Sequence, residues 1–118
     1  MEKTQEMQMV ETILKSIDDK KGQQPVVLDL RGITSLCDFF VIASASSVRQ
    51  VKAIAENIKE DLEEINIFVR HQEGLKESRW ILLDYGDVVV HLFITEDRDH
   101  YQLESIWKDA PMLDIDTY

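Results

Sequence analysis

Residues 79–94, RWILLDYGDVVVHLFI, place two runs of aliphatic and aromatic residues on either side of an Asp-Tyr-Gly-Asp punctuation. That is the pattern of a β-hairpin, with Gly86 free to take positive φ in a tight turn. A two-residue loop at Tyr85 and Gly86 would pair Leu83 with Val88, Leu82 with Val89, Ile81 with Val90 and Trp80 with His91. Side chains alternate along a strand, so Ile81, Leu83, Val88, Val90, Leu92 and Ile94 share one face. Trp80, Leu82, Val89, His91 and Phe93 share the other, with Asp84 and Asp87 at its turn end. Both faces are largely apolar, whereas an antiparallel hairpin with one wet face shows clean alternation. The aliphatic face suits a core beneath helices. The second face has the make-up of an interface centre, aromatic anchors inside a polar border. It is covered either by more of this chain or by a partner.

The chain around this hairpin has 118 residues, enough for one domain with a real core and too few for a separate substrate domain. The expected domain spans 1–118, with 109–118 as a mobile acidic tail. Thirteen basic residues against 23 acidic ones give a net charge of −10. Free nucleic acid is therefore a poor match, because neutralising phosphates requires clustered Lys and Arg. A basic protein surface is the better electrostatic complement. One cysteine, Cys37, excludes an internal disulfide and a cysteine-rich metal site and fits a reducing compartment. No apolar run approaches the roughly 18–20 residues of a membrane span, and no signal-peptide pattern opens the chain. The expected location is the cytoplasm.

In order, residues 4–20 carry Met7, Val10, Ile13, Leu14 and Ile17 at helical spacing, with Gly22 as the stop. Gln23-Gln24-Pro25 reads as a turn, 26–30 as a short buried strand, and 38–44 as a strand covered on both faces. Ser47 and Gln50 have the spacing of a capping box. On the long amphipathic helix they open, Val51, Ile54, Ala55, Ile58, Leu62 and Ile65 form one apolar stripe. Residues 66–71 read as a third strand, with Ile67 and Val69 alternating, and 72–78 as the loop into the hairpin. Asp99 can cap a last helix burying Leu103, Ile106 and Trp107, stopped by Pro111. The fold class is α/β, a mixed sheet of roughly five strands with flanking helices.

A search for chemistry finds little. Asp97 and Asp99 form an Asp-x-Asp pair of the kind that can hold Mg²⁺, but they sit where a helix starts and capping explains them. Asp84 and Asp87 bracket a turn, where Asp is common for local reasons. Residues 44–47 form a strand-to-helix junction able to offer backbone N–H groups to phosphate, yet they contain no glycine and no P-loop lysine pattern. His71, His91 and His100 are too dispersed for a zinc motif. Cys37 packs most simply as a small hydrophobe beside Phe39. No nucleophile, base and electrophile come together, so no catalytic residue, cofactor or metal is assigned.

Leu28-Asp29-Leu30-Arg31, then Asp38-Phe39-Phe40-Val41-Ile42 with Ser44 and Ser46, then Gln50-Val51 and Ala53-Ile54-Ala55, resemble the ribosomal silencing factor family, also called Iojap. Its most specific signature is similar to Trp80, the block Leu82-Leu83-Asp84-Tyr85-Gly86-Asp87-Val88-Val89-Val90-His91, and Phe93, followed by Arg98, Tyr101, Leu103-Glu104 and Trp107. The likeness covers roughly residues 4–108. Ala45 stands where the family commonly has Gly, and His100 where an aromatic is usual.

The resemblance implies a nucleotidyltransferase-like fold that has lost catalysis. It also implies binding to the large ribosomal subunit through ribosomal protein L-fourteen, at the face the small subunit must occupy, so that joining is blocked and translation repressed. The family also tends to form homodimers. On this footing Trp80, Leu82 and His91 are the expected centre of the contact, with Tyr85 and Phe93 beside them and Asp84, Asp87 and Glu73 meeting basic side chains at the rim. Two rivals remain. One is a large-subunit assembly factor using the same surface. The other is a nucleotidyl- or phosphotransferase built on Asp97, Asp99 and the 44–47 junction.

Overall fold

The computed structural model describes residues 4–96. The first helix, α1 (Gln5–Asp19), starts at Thr4, whose hydroxyl accepts from Met7 N at 3.2 Å. It buries Met9, Val10, Ile13, Ser16 and Ile17 along one stripe. Its end is tied by two backbone bonds, Gly22 N to Ile17 O at 2.8 Å and Lys21 N to Asp18 O at 3.0 Å. Lys21 takes the left-handed position with φ 60. This is the paired 6→1 and 5→2 closure of a Schellman end.

β1 (Gln23–Asp29) leads through residues 30–38 to β2 (Phe39–Ala45), and α2 (Val48–Glu63) follows. Ser47 caps α2, accepting from Gln50 N at 3.1 Å. The expected capping box is present in altered form, since Gln50 Oε1 accepts from Ser46 N, not Ser47 N. Gln50 Nε2 then donates to the carbonyls of Lys20 and Lys21, both at 3.1 Å, so one side chain joins the end of α1 to the start of α2. Farther along, Ser16 Oγ donates to Asp61 Oδ2 at 2.5 Å and Asn57 Nδ2 donates to Ser16 O at 3.1 Å. These polar bonds fix how the two helices lie against each other.

After α2 come β3 (His71–Glu73), β4 (Trp80–Asp84) and β5 (Val88–Ile94), completing one five-stranded sheet in the order β1-β2-β5-β4-β3. Among the described strands only β2 and β5 run parallel; the other neighbours are antiparallel. Both helices cover the same face. Val10, Ile13, Ile17, Val51, Ile54, Ile58 and Leu62 meet Val27, Phe39, Val41, Ala43, Ile81, Leu83, Val88, Val90, Leu92 and Ile94 in the main core. The fold class read from the sequence, a mixed five-stranded sheet with flanking helices, is the one observed.

Three local expectations are corrected. First, the hairpin register lies two residues from the expected one: Trp80 pairs with Phe93, Ile81 with Leu92, Leu82 with His91 and Leu83 with Val90. The loop residues are Gly86 and Asp87, closed by Tyr85 N to Val88 O at 2.9 Å. Gly86 has φ 90 and Asp87 does not share it, the II′ arrangement. A slip of one residue would have exchanged the two faces, but a slip of two returns every side chain to its own side. Second, Gln23-Gln24-Pro25 is not a turn but the start of β1, where the pairing shifts between Gln23 and Val26 and Gln24 has φ 49. An irregular stretch of an edge strand is where a sheet accommodates proline. Third, residues 67–70 lie outside the sheet, and the third strand is the short, exposed His71–Glu73. Ile67 and Val69 still pack on the main core. The proposed last helix from Asp99 and the acidic tail at 109–118 lie outside the described residues.

Candidate functional site

The sheet face away from the helices is set by register. Going across the strands, one row holds Leu28, Phe40, Val89, Asp84 and His71; the next holds Val26, Ile42, His91, Leu82 and Glu73; the third holds Ser44, Phe93 and Trp80. Leu28, Leu30, Cys37, Ile42 and Phe93 form a second, smaller core here, with Val26, Phe40, Trp80 and Val89 packed against it. Among the described residues, no helical side chain belongs to that cluster.

Its centre is aromatic. The Trp80 and Phe93 rings stack with centroids 5.2 Å apart and planes 30° apart. Phe40 meets His91 edge-on at 4.7 Å and 62°. Each such pair is worth about 0.5–1.5 kcal/mol beyond the burial of its area. Trp80 Nε1 donates to His91 Nδ1 at 3.2 Å. His91 is 4% exposed, and its Nε2 is buried with no hydrogen-bond partner among the described residues. Burial disfavours the imidazolium and pushes the His91 pKa down to about 4. The ring is therefore neutral at pH 7, and since Nδ1 accepts, the proton sits on Nε2.

Three carboxylates lie around this centre. Asp84 is half-buried, and its Oδ1 accepts from Gly86 N at 2.7 Å, which holds the turn. Asp87 and Glu73 are exposed. Among the described residues neither the Asp84 nor the Asp87 carboxylate makes a salt bridge, while Glu73 lies 3.7 Å from His71 Nε2. Trp80 and Leu82 are half-buried, and Phe93 is buried at 1% exposure.

Tyr85 is the member of the expected set that the structure moves. It lies on the opposite, helix-covered face in the main core. Alternation simply continues from Ile81 and Leu83 to Tyr85, which directly follows β4 and flanks the loop instead of lying in it. Its hydroxyl is buried with no partner among the described residues, and burial, with Glu63 nearby, pushes its pKa up. Phe40 was missed as a member of the site. Its own strand pattern gave the parity, but only the parallel pairing of β2 with β5 brings it beside His91.

The places considered for chemistry are otherwise engaged. At the 44–47 junction, Ser46 N and Gln50 N are taken by Gln50 and Ser47 side chains, so the helix start is capped from within. Cys37 packs with Leu28 and Ile42, on the face opposite Phe39, and burial, with Asp38, Asp84 and Asp87 adding to it, pushes its thiol up to about 11. Among the described residues no group of three His, Cys, Asp or Glu side chains could hold a metal ion, and no helix is long and apolar enough to cross a membrane. Asp97 and Asp99 lie outside the described residues.

The family model described as "Ribosomal silencing factor during starvation" matches residues 2–118. The chain is 46% identical over 99 residues to ribosomal silencing factor RsfS of Bacillus subtilis, covering 84% of each. It is 39% identical over 109 residues to that of Halalkalibacterium halodurans, covering 92% of this chain and 93% of the relative. Its fold is similar to the crystal structure of a protein from Chromobacterium violaceum, with a TM-score of 0.84 at 33% identity, covering 86% of this chain and 85% of that one.

Proposed function

The chain belongs to the ribosomal silencing factor family, and from that premise we propose that it binds the large ribosomal subunit through ribosomal protein L-fourteen and blocks joining of the small subunit. As a member of this family it is a non-catalytic, ribosome-directed repressor of translation. The observation that carries the finer reading is the sheet face of Trp80, Leu82, His91 and Phe93 bordered by Asp84, Asp87 and Glu73. Half-buried aromatic and aliphatic anchors inside a carboxylate border suit a partner that offers an apolar patch ringed by Lys and Arg. The excess of ten negative charges favours encounter with such a basic protein surface and opposes contact with RNA phosphates. In this reading the sheet is a nucleotidyltransferase-like scaffold used for docking alone. Off the ribosome the protein is a homodimer, and it works in the cytoplasm.

The test is sedimentation of purified large and small subunits with and without the protein. Co-migration with the large subunit and loss of joined particles is the expected result. Binding to precursor particles alone would transfer the reading to large-subunit assembly, and binding to neither would overturn it. Trp80→Ala, with folding checked by circular dichroism, is expected to weaken large-subunit binding at least tenfold, because truncating a central aromatic anchor costs about 2 kcal/mol or more. Undiminished binding would remove this face from the proposal.

A further inference from the structure

We propose that His91 is a positioning residue for the Trp80 indole and makes no contact of its own with the partner. The inference rests on the docking role given above to the Trp80 face. At 4% exposure and with Phe40 packed edge-on against it, the imidazole has no surface to offer. What it offers is Nδ1, 3.2 Å from Trp80 Nε1. In the register, Leu82 is the residue directly opposite His91, and Trp80 is opposite Phe93. The hydrogen bond therefore runs on the diagonal and draws the indole along the sheet, where it stacks on Phe93 at 5.2 Å. The bond and the stack both favour the same indole orientation.

The cost of keeping a histidine here strengthens the argument. With Nδ1 accepting, Nε2–H is a buried donor with no acceptor among the described residues, a net loss to stability. A phenylalanine would fill the same space between Phe40 and Phe93 without an orphaned donor. The histidine therefore contributes something an apolar ring cannot, and the one bond it makes among these side chains is to Trp80. Fixing an anchor before encounter lowers the ordering cost of association.

The experiment measures affinity for purified large subunits in a variant set of the full chain. His91→Phe keeps the ring and removes the acceptor; His91→Asn keeps an acceptor, its Oδ1, near the place of Nδ1. Binding is expected to weaken three- to tenfold in His91→Phe, the range for losing one pre-ordered side chain, and to be largely restored in His91→Asn. In a Trp80→Ala background, His91→Phe is expected to have no further effect, because the residue acts through the indole. Urea unfolding of His91→Phe should show stability equal to or above that of the parent, which separates positioning from a fold defect. In a Trp107→Phe background, Trp80 fluorescence anisotropy should fall in His91→Phe and recover in His91→Asn. Additive losses in the double variant, or a His91→Phe protein that binds as tightly as the parent, would overturn the proposal. If Trp80→Ala itself binds normally, the failure belongs to the docking reading instead.

Discussion

Gly32 and Gly74 offer a controlled comparison, because they have almost the same positive φ, 84 and 82, in different surroundings. A Cβ added at Gly32 meets nothing within 4 Å, whereas one added at Gly74 falls 1.9 Å from Trp80 O, a backbone atom that cannot rotate away. At Gly32, alanine costs only the left-handed conformation, about 1 kcal/mol. At Gly74 the same cost applies, and the loop must also retreat by about 1.5 Å to reach the 3.4 Å at which ordinary contact begins. Glu73, the neighbour of Gly74, pairs with Leu82, so that movement pulls β3 from β4. Losing two ladder bonds at about 1 kcal/mol each brings the Gly74→Ala total to roughly 3 kcal/mol. Urea unfolding followed by far-UV circular dichroism measures both variants with a common slope. The refuting result is equal destabilisation of the two proteins within about 0.5 kcal/mol, which would mean that the close approach to Trp80 is relieved without cost.

Other consequences can be checked the same way. The His91 pKa is about 4 in the folded protein against about 6.5 unfolded, so the unfolded chain binds the proton first, and stability falls as pH drops from 6.5 towards 4, by roughly 3 kcal/mol in all. Chemical denaturation of the parent and His91→Asn across this window should show that extra acid sensitivity only in the parent. Asp61→Ala removes the carboxylate that Ser16 donates to at the helix pair and should cost about 1.5–3 kcal/mol by urea titration; a neutral outcome would show that the bond adds nothing. Asp84→Asn keeps an oxygen for Gly86 N while removing charge. Combined with Asp87→Asn, it should slow association with large subunits and flatten the salt dependence while leaving dissociation nearly unchanged, as surface-binding kinetics at two salt concentrations would reveal.

The division of the hairpin into two faces was legible because strand alternation is local and the turn error was even: a two-residue slip moved every cross-strand partner yet left Ile81 and Leu83 on the helix side and Trp80 and His91 together. Register was not legible, because it depends on which two of the four residues in Asp-Tyr-Gly-Asp form the loop, and both Tyr85-Gly86 and Gly86-Asp87 offer a glycine. Tyr85 followed from that misplacement. Phe40 beside His91 was beyond reach for a different reason: a parallel pairing between residues 39–45 and 88–94 leaves no mark in either segment. Gln50 was legible as a cap of its own helix, but its second bond, to the end of α1, requires knowing that two termini thirty residues apart are adjacent. The tertiary part of the site was hidden, and the local part was readable.

The parallel pairing also dictates an order of events during synthesis. Strand β5 sits between β2 and β4, so everything from α1 to α2 emerges from the ribosome while one edge of β2 is still bare. An incomplete chain ending before Val88 presents that edge, Phe39 to Ala45, as an apolar template for joining with other chains. Cooperative closure waits for the strand that also carries His91 and Phe93. The last of the described strands to reach the sheet is thus the one on which both the fold and the docking face depend, and a nascent chain cannot display the second without having completed the first.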